Sequence, residues 1–413
     1  MIIVLCILAL TAFALSGCTT FNNFKEAFID DTADQSQVIS IGVFEPTSGS
    51  DKDGAKAELA GIELAHEMMP EADGHEIKLI YADNSSDIDA AETAINTLLA
   101  KNPNVVLGSY GAIYSLVAAE YIEEAKVPAI AITNTNPLIT RNNSYYFRVC
   151  YIEATQGRLL AQYLDSTGEK KAGILLPEKD DAATAMATAF SNEFKDLTGG
   201  DDAIAYYEKY TTGDTDFSKP LAALKKSKVK SVLLPGEMVD AANIIKEASA
   251  MGLDVTFLGT TNWGSSDFLD AITTDENGEP LNTVDPQKLA FVQFFAVDSD
   301  SEKEPARISK AREAFLDAYH QKYGESEEPD EAVALGYDAY GIAIDAILRT
   351  SNGSQLPDGQ AIRDKLLSKK YEFDGASGVI RFNKKGDPKK TAYISTWENG
   401  AIKAIYTIEA DEQ

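Results

Sequence analysis

The sequence predicts an α/β protein built as two doubly wound, Rossmann-like lobes with parallel-sheet cores and a ligand cleft between them. Three observations lead there. With 413 residues the chain exceeds one ordinary core and suits two domains of middling size. From Val38 onward, continuous apolar strands alternate with amphipathic helices, as in parallel sheets covered on both faces. The alternation restarts at the helix ATQGRLLAQYLDSTG, so a second unit of the same kind follows the first. Ligands in such sheets bind beyond the carboxyl ends of the strands.

The first unit opens with VISIGVF, a buried strand running into the loop EPTSGSDKDG. Apolar residues at helical spacing in AKAELAGIELAHEMM predict a helix that Pro70 stops. The strand EIKLIYAD follows, and DIDAAETAINTLLAKN opens a helix on an aspartate N-cap. Strand VVLGSY, helix AIYSLVAAEYIEEAK and strand VPAIAIT complete the unit. The second unit reads KAGILLP, AATAMATAFSNEFKDL, AIAYYEKY, FSKPLAALKKS, VKSVLLP, MVDAANIIKEASAMG and VTFLGT, strands and helices in turn. The last third supplies strand LAFVQFFAV and the helices ARISKAREAFLDAYHQKYG, DEAVALGYDAYGIAIDAILRTS and DGQAIRDKLLSKKY. A β-rich end contains VIRF, the turn NKKGDP, TAYISTW and then Asn399-Gly400, a strong hairpin signal. A chain that ends so far from the start of its second unit crosses between lobes more than once.

Composition narrows the function. Hydrophobic residues at 44% and charged residues at 25% are globular values. The balance of 37 Lys+Arg against 65 Asp+Glu gives −28, a surface that repels phosphate backbones, so no nucleic-acid partner is expected. Enzyme signatures fail one by one. His66-Glu67 begins like a zincin HExxH, but Pro70 stands where the second histidine belongs, and the chain has only 3 histidines. Gly49 and Gly54 have phosphate-loop spacing, yet Ala55 and Lys56 follow in place of Lys-Ser/Thr. Asp51, Asp53 and Gly54 lack the twelfth-position glutamate of a calcium loop, and no G-x-S-x-G elbow exists. The expectation is a non-enzyme with no cofactor and no metal.

The N-terminus carries a separate signal. Met1 to Leu15 is almost wholly apolar but shorter than the roughly 20 residues of a spanning helix, and small residues follow. That pattern predicts a signal peptide over 1–17, although no Lys or Arg precedes the apolar run. The string LSGC resembles the bacterial lipobox, in which the signal is cut before the cysteine and that thiol, here Cys18, receives diacylglycerol. Residues 18–37 read as a polar tether. Cys6 leaves with the signal and Cys18 is acylated, so Cys150 has no disulfide partner and is expected as a buried, inert thiol.

Three loops stand at predicted strand ends: GSYGA (108–112), TNTNP (133–137) and PGEMVD (235–240). A helix N-terminus presents unpaired N–H groups that suit a carboxylate. The same residues equally suit ordinary strand-to-helix turns.

From about Val38 to the C-terminus the chain resembles the branched-chain amino acid (Leu/Ile/Val) binding family of importer receptors. The stretches that carry the likeness are IGVFEPTSG, VVLGSYG, VPAIAITNTNPLIT, YYFRVCYIEATQG, EASAMGLDVTFLGTTNW, ALGYDAY and FDGASGVIRFNKKGDP, in order over nearly the whole mature chain. The resemblance implies two lobes joined by a three-segment hinge, with lobe 1 at 38–153 plus 296–390 and lobe 2 at 154–295 plus 391–413. It implies ligand contacts at Tyr110, Gly111, Ala112, Thr133, Thr135, Glu237 and Thr261. Thr135 falls on the threonine that bonds the ligand's ammonium and carboxylate, and Thr133 on a position whose backbone helps. Four positions depart from the family. Ala112 replaces a carboxylate-binding serine, Ala182 an aromatic that closes over the ligand, Glu237 a pocket tyrosine, and Thr261 an acid that pairs with the ammonium. The role implied is a monomeric lipoprotein on the extracytoplasmic face of a bacterial membrane, passing a small polar solute to ABC permease subunits. A ligand-sensing lipoprotein that controls a membrane partner is the alternative.

Overall fold

The computed structural model describes residues 38–275, 277–281, 283–297, 309–353 and 355–408. Cys18, the signal and the tether lie outside the described residues. No helix among the described residues is long and apolar enough to cross a membrane.

The first sheet takes its strands from β1 (Val38–Glu45), β2 (Glu71–Ala72), β3 (His75–Asp83), β4 (Val105–Gly108), β5 (Ala129–Ala131) and β6 (Tyr146–Arg148). Its order is β2-β3-β1-β4-β5-β6, parallel throughout except for the short β2. Helices α1 (Lys52–Met68), α2 (Ile88–Leu99), α3 (Ala112–Ala125) and the single turn α4 (Leu138–Arg141) connect these strands. Asp87 caps α2 through its carboxylate, as its sequence pattern predicts. The apolar runs are buried for the expected reason: Ile39, Ile41, Val43, Val105, Leu107 and Ile130 have no exposed surface.

The second sheet contains β7 (Ala172–Pro177), β8 (Ile204–Tyr210), β9 (Ser231–Leu233), β10 (Thr256–Gly259), β11 (Leu289–Gln293), β15 (Ala392–Glu398) and β16 (Ala401–Ile408). They lie in the order β16-β15-β11-β10-β9-β7-β8. The strands from β7 to β11 are parallel, and β15 and β16 add an antiparallel edge. Asn399 and Gly400 both have positive φ at the β15–β16 turn, the conformation their dipeptide signals. Helices α5 (Glu153–Ser166), α6 (Asp181–Thr198), α7 (Ser218–Ser227), α8 (Met238–Ala250) and α9 (Ser266–Thr273) accompany this sheet. The two cores define two lobes.

Between β11 and β15 the chain forms α10 (Lys310–Tyr323), α11 (Glu331–Leu348), α12 (Gly359–Leu366) and a small antiparallel sheet of β12 (Phe373–Gly375), β13 (Gly378–Phe382) and β14 (Pro388–Lys389). Helix α11 returns to the first lobe and crosses α1 backbone to backbone. A Cβ on Gly61 would stand 2.1 Å from the Val333 carbonyl, and one on Gly336 would stand 2.4 Å from the Glu58 carbonyl. Only glycine permits that approach.

The chain therefore passes from one lobe to the other after β6, after β11 and after β14. The passages are bonded to each other. Lys390 N–H donates to the Tyr151 hydroxyl at 2.8 Å, that hydroxyl donates to the Lys390 carbonyl, and the Tyr151 and Phe294 rings meet edge-on at 5.4 Å. Two strands are shorter than their apolar runs suggest. β11 stops at Gln293 because the Phe294 N–H turns to the Glu331 carboxylate at 2.8 Å. β4 stops at Gly108 because the next two amides take side-chain partners, Ser115 Oγ at 3.2 Å and Glu45 Oε2 at 2.6 Å.

Candidate functional site

The carboxyl ends of the two sheets carry the loops singled out in the sequence. In the first lobe they are locked by side-chain hydrogen bonds. Asp83, at the end of β3, accepts from Thr47 N–H at 2.9 Å and from the Ser48 hydroxyl at 2.6 Å. Asn84 donates to Ser109 Oγ at 2.7 Å, and Asn134 donates to Ser115 Oγ at 2.8 Å and to the Ser109 carbonyl. Buried Arg148 reaches the Asn134 carbonyl at 2.8 Å and Thr140 Oγ1 at 3.0 Å, with its Nε 3.0 Å from Asp387. The GSYG and TNTN segments are thus one bonded unit.

Tyr110, Gly111 and Ala112 lead into α3, where Gly111 has φ of +85° and offers no side-chain cap. The 14-residue helix has no side-chain cap, and the first N–H groups of such a helix suit a carboxylate. Thr133 and Thr135 project from the neighbouring strand end, and their hydroxyls are already engaged. Thr133 donates to Glu58 and Thr135 to Glu153. A threonine oxygen that has given its hydrogen keeps its lone pairs for an incoming donor. Burial pushes the Glu153 carboxyl above its usual range; the Thr135 bond and Arg148 oppose this, and Asp180 of the second lobe adds to it.

The second lobe presents less bonded groups. Glu237 is exposed and stands at the N-cap of α8 without a side-chain capping bond. Thr261 opens the turn after β10, half-buried, beside Thr260, whose Oγ1 is buried without a partner among the described residues. Ala182 lies in the first turn of α6. Tyr210, at the end of β8, is 4% exposed, yet its hydroxyl also has no partner among the described residues. A Cβ on Gly236 would stand 2.8 Å from that oxygen, so the hydroxyl lies directly under the PGEMVD loop. Burial raises the Tyr210 phenol above its usual range, and the carboxylates of Asp240, Asp180 and Glu237 raise it further.

Five of the seven residues implied by the resemblance, Tyr110, Gly111, Ala112, Thr133 and Thr135, gather at the end of the first sheet. Glu237 and Thr261 stand at the adjacent strand ends β9 and β10 of the second. Sequence reasoning missed Glu45, Glu58, Glu153, Asp180 and Tyr210. One signal was available: Glu58 shares the buried stripe of α1 with Ala55, Ile62 and Ala65. An acid on a buried face needs a partner. Cys150 is fully buried with its thiol pushed up to about 12 by burial, and it donates to the Asn134 carbonyl at 3.1 Å. A cavity of about 380 Å³ lies elsewhere. It sits among Ile245, Leu253, Val255 and Leu289, at the amino ends of β10 and β11, opposite the polar loops.

Two doubly wound lobes that present polar loops and helix starts at their strand ends define a solute-binding clamp. The chain belongs to the periplasmic binding protein family, whose profile matches residues 38–401. Membership implies an extracytoplasmic location. It is 23% identical to a Leu/Ile/Val-binding protein homolog of Brucella abortus over 368 residues, 88% of this chain and 91% of that one. Among solved structures it is similar to a leucine-binding protein of Thermotoga maritima, at 26% identity and a TM-score of 0.72, covering 91% of this chain and 100% of the other. It is also similar to the branched-chain amino acid transporter substrate-binding protein of Streptococcus pneumoniae in complex with isoleucine. There the identity is 26% and the TM-score 0.70, over 90% of this chain and 99% of the other.

Proposed function

We propose that the chain is a lipoprotein, anchored through Cys18, that closes on a small zwitterion or amine and delivers it to the permease of an ABC importer. The observation that carries the ligand class is the Thr135–Glu153 pair. It offers an acceptor oxygen backed by a carboxylate, which suits an ammonium group, while the N–H groups at the start of α3 suit a carboxylate. Tyr110, Gly111 and Ala112 hold the acid end, Thr133 and Thr135 the polar centre, and Glu237 and Thr261 close from the other lobe by hinge motion. The lobes divide at 153/154, 295/296 and 390/391, and the clamp works as a monomer.

A thermal-shift screen of the purified chain against amino acids, amines and small peptides tests the reading. A ligand at 100 times its dissociation constant stabilises by about 2.7 kcal/mol. A set of amino acids and amines that all leave the melting temperature unchanged overturns the ligand class. The anchor has its own test. Mass spectrometry of the membrane-bound protein is expected to find diacylglyceryl-Cys18, and an intact Met1 to Gly17 segment would refute it.

A further inference from the structure

Behind the first-lobe loops stand two buried acids that the ligand contacts above do not use. Glu45 closes β1 and is 1% exposed; Glu58 lies on α1, where the Gly61 crossing presses the helix inward, and is 0% exposed. Each carboxyl spends one oxygen on a loop. Glu45 Oε2 accepts the Tyr110 N–H at 2.6 Å, and Glu58 Oε1 accepts the Thr133 hydroxyl. The other two oxygens, Glu45 Oε1 and Glu58 Oε2, are buried and have no donor among the described residues. The backbone wraps closely here, since a Cβ on Gly108, at φ +102°, would meet Glu45 Oε1 at 2.3 Å. The two carboxyls are within hydrogen-bonding reach of each other.

Two adjacent carboxylates in such a site cannot both be ionised, and a buried oxygen with no donor is costly. One proton satisfies both free oxygens. We propose that Glu45 and Glu58 share a single proton and so clasp the GSYG loop to the TNTNP loop, and that losing this proton loosens the first-lobe half of the cleft. Both are positioning residues, and calling the loops a half-site rests on the function proposed above.

The surrounding charges support the shared proton. Asp330, at the N-cap of α11, adds negative potential at Glu58, and the Tyr110 phenol, the Tyr146 phenol and the Cys150 thiol face the pair without supplying a cation. Arg148 is committed to Asp387, Asn134 and Thr140. Burial, together with the Glu58 charge, holds Glu45 well above the carboxylate range; burial raises Glu58 to about 7. Because these folded-state values exceed the unfolded ones, the contribution to stability is complete below about pH 4.5 and falls as pH rises, first through about 7, where one proton leaves the pair, and then through the higher range that holds the remaining shared proton.

The test needs no solute, so it stands or falls separately from the ligand reading. Urea unfolding of the full chain is measured from pH 5 to pH 10 for the wild type and for Glu45→Gln, whose amide N–H takes the place of the shared proton. Other buried acids, such as Glu331, titrate in both proteins and cancel in the comparison. The wild type is expected to lose at least about tenfold more in its folding constant over that interval than the variant. Hydrogen exchange read at the Tyr110 amide, corrected for its intrinsic pH dependence, is expected to speed up with pH in the wild type only. Equal pH slopes and equal Tyr110 protection in the two proteins would overturn the clasp. Should Glu45→Gln fail to fold, Glu58→Gln supplies the same N–H from the other side. Infrared spectra at pH 6 are expected to show a buried protonated carboxyl band in the wild type that Glu45→Gln lacks. Its absence would also overturn the proposal.

Discussion

The two cleft faces share a strand-and-loop plan but differ in how far their polar groups are bonded. In the first lobe, Asp83, Asn84, Ser109, Tyr110, Thr133, Asn134 and Thr135 all hold side-chain or backbone partners before any ligand arrives. In the second, the Tyr210 hydroxyl and Thr260 Oγ1 are buried without partners among the described residues, and Glu237 stands exposed. A bonded loop has already lost its conformational entropy and binds at lower cost. An unpartnered buried hydroxyl raises the energy of the empty state and gains when a ligand supplies its partner. The contrast suits the proposed clamp, with one preorganised jaw and one that closure would complete.

The largest expected effect breaks the preorganised side. Arg148→Met removes the fully buried side chain that holds the Asn134 carbonyl, Thr140 and Asp387 together. Breaking such a network leaves Asp387 without its cation, and urea unfolding is expected to show a loss of about 3–5 kcal/mol. A loss below about 1 kcal/mol would mean that the jaw is not braced there.

Next comes Thr135→Val, which keeps the shape and deletes the hydroxyl bonded to Glu153. Calorimetry with the amino acid or amine found in the screen is expected to show affinity lower by roughly ten- to a hundredfold. Full affinity in the variant would place the polar end of the ligand elsewhere. Glu237→Gln addresses the other jaw. A cationic or zwitterionic ligand is expected to bind about tenfold more weakly, close to 1.4 kcal/mol, with unfolding unchanged because the side chain is exposed. Unchanged affinity would remove Glu237 from the site.

The smallest effect sharpens the contrast most. Tyr210→Phe removes a hydroxyl that has no partner among the described residues, so stability is expected to stay within about 0.5 kcal/mol or to rise. Ligand affinity is expected to fall all the same. A clear drop in stability with no change in affinity would show that the hydroxyl is bonded in the empty protein, and the two jaws would then be alike.

The parts of this molecule legible in the sequence are the local ones. Apolar runs located the principal strands, Asp87 announced its helix, and Asn399-Gly400 announced its hairpin. The places where the reading ran long share a cause. Ser109, Tyr110 and Phe294 continue apolar strands in the sequence, but carboxylates and hydroxyls from other elements take the amides of all three. For the proposed site, resemblance pointed to Thr133 and Thr135, whereas the buried acids around these loops went unseen. Glu58 is 75 residues from Thr133, and Glu45 is 65 from Tyr110.

By itself the sequence determined the order and type of the elements, the doubly wound class and the strand-end position of the loops. Those follow from periodicity, capping and turn chemistry, each acting within a few residues. Only the tertiary structure decided which side chains meet. The order β3-β1-β4-β5 brings Glu45, Tyr110 and Thr133 to one edge, and the glycine crossing of α1 with α11 drives Glu58 in beside them. Burial then sets their protonation, because the cost of an ionised carboxyl depends on all that surrounds it rather than on its neighbours along the chain.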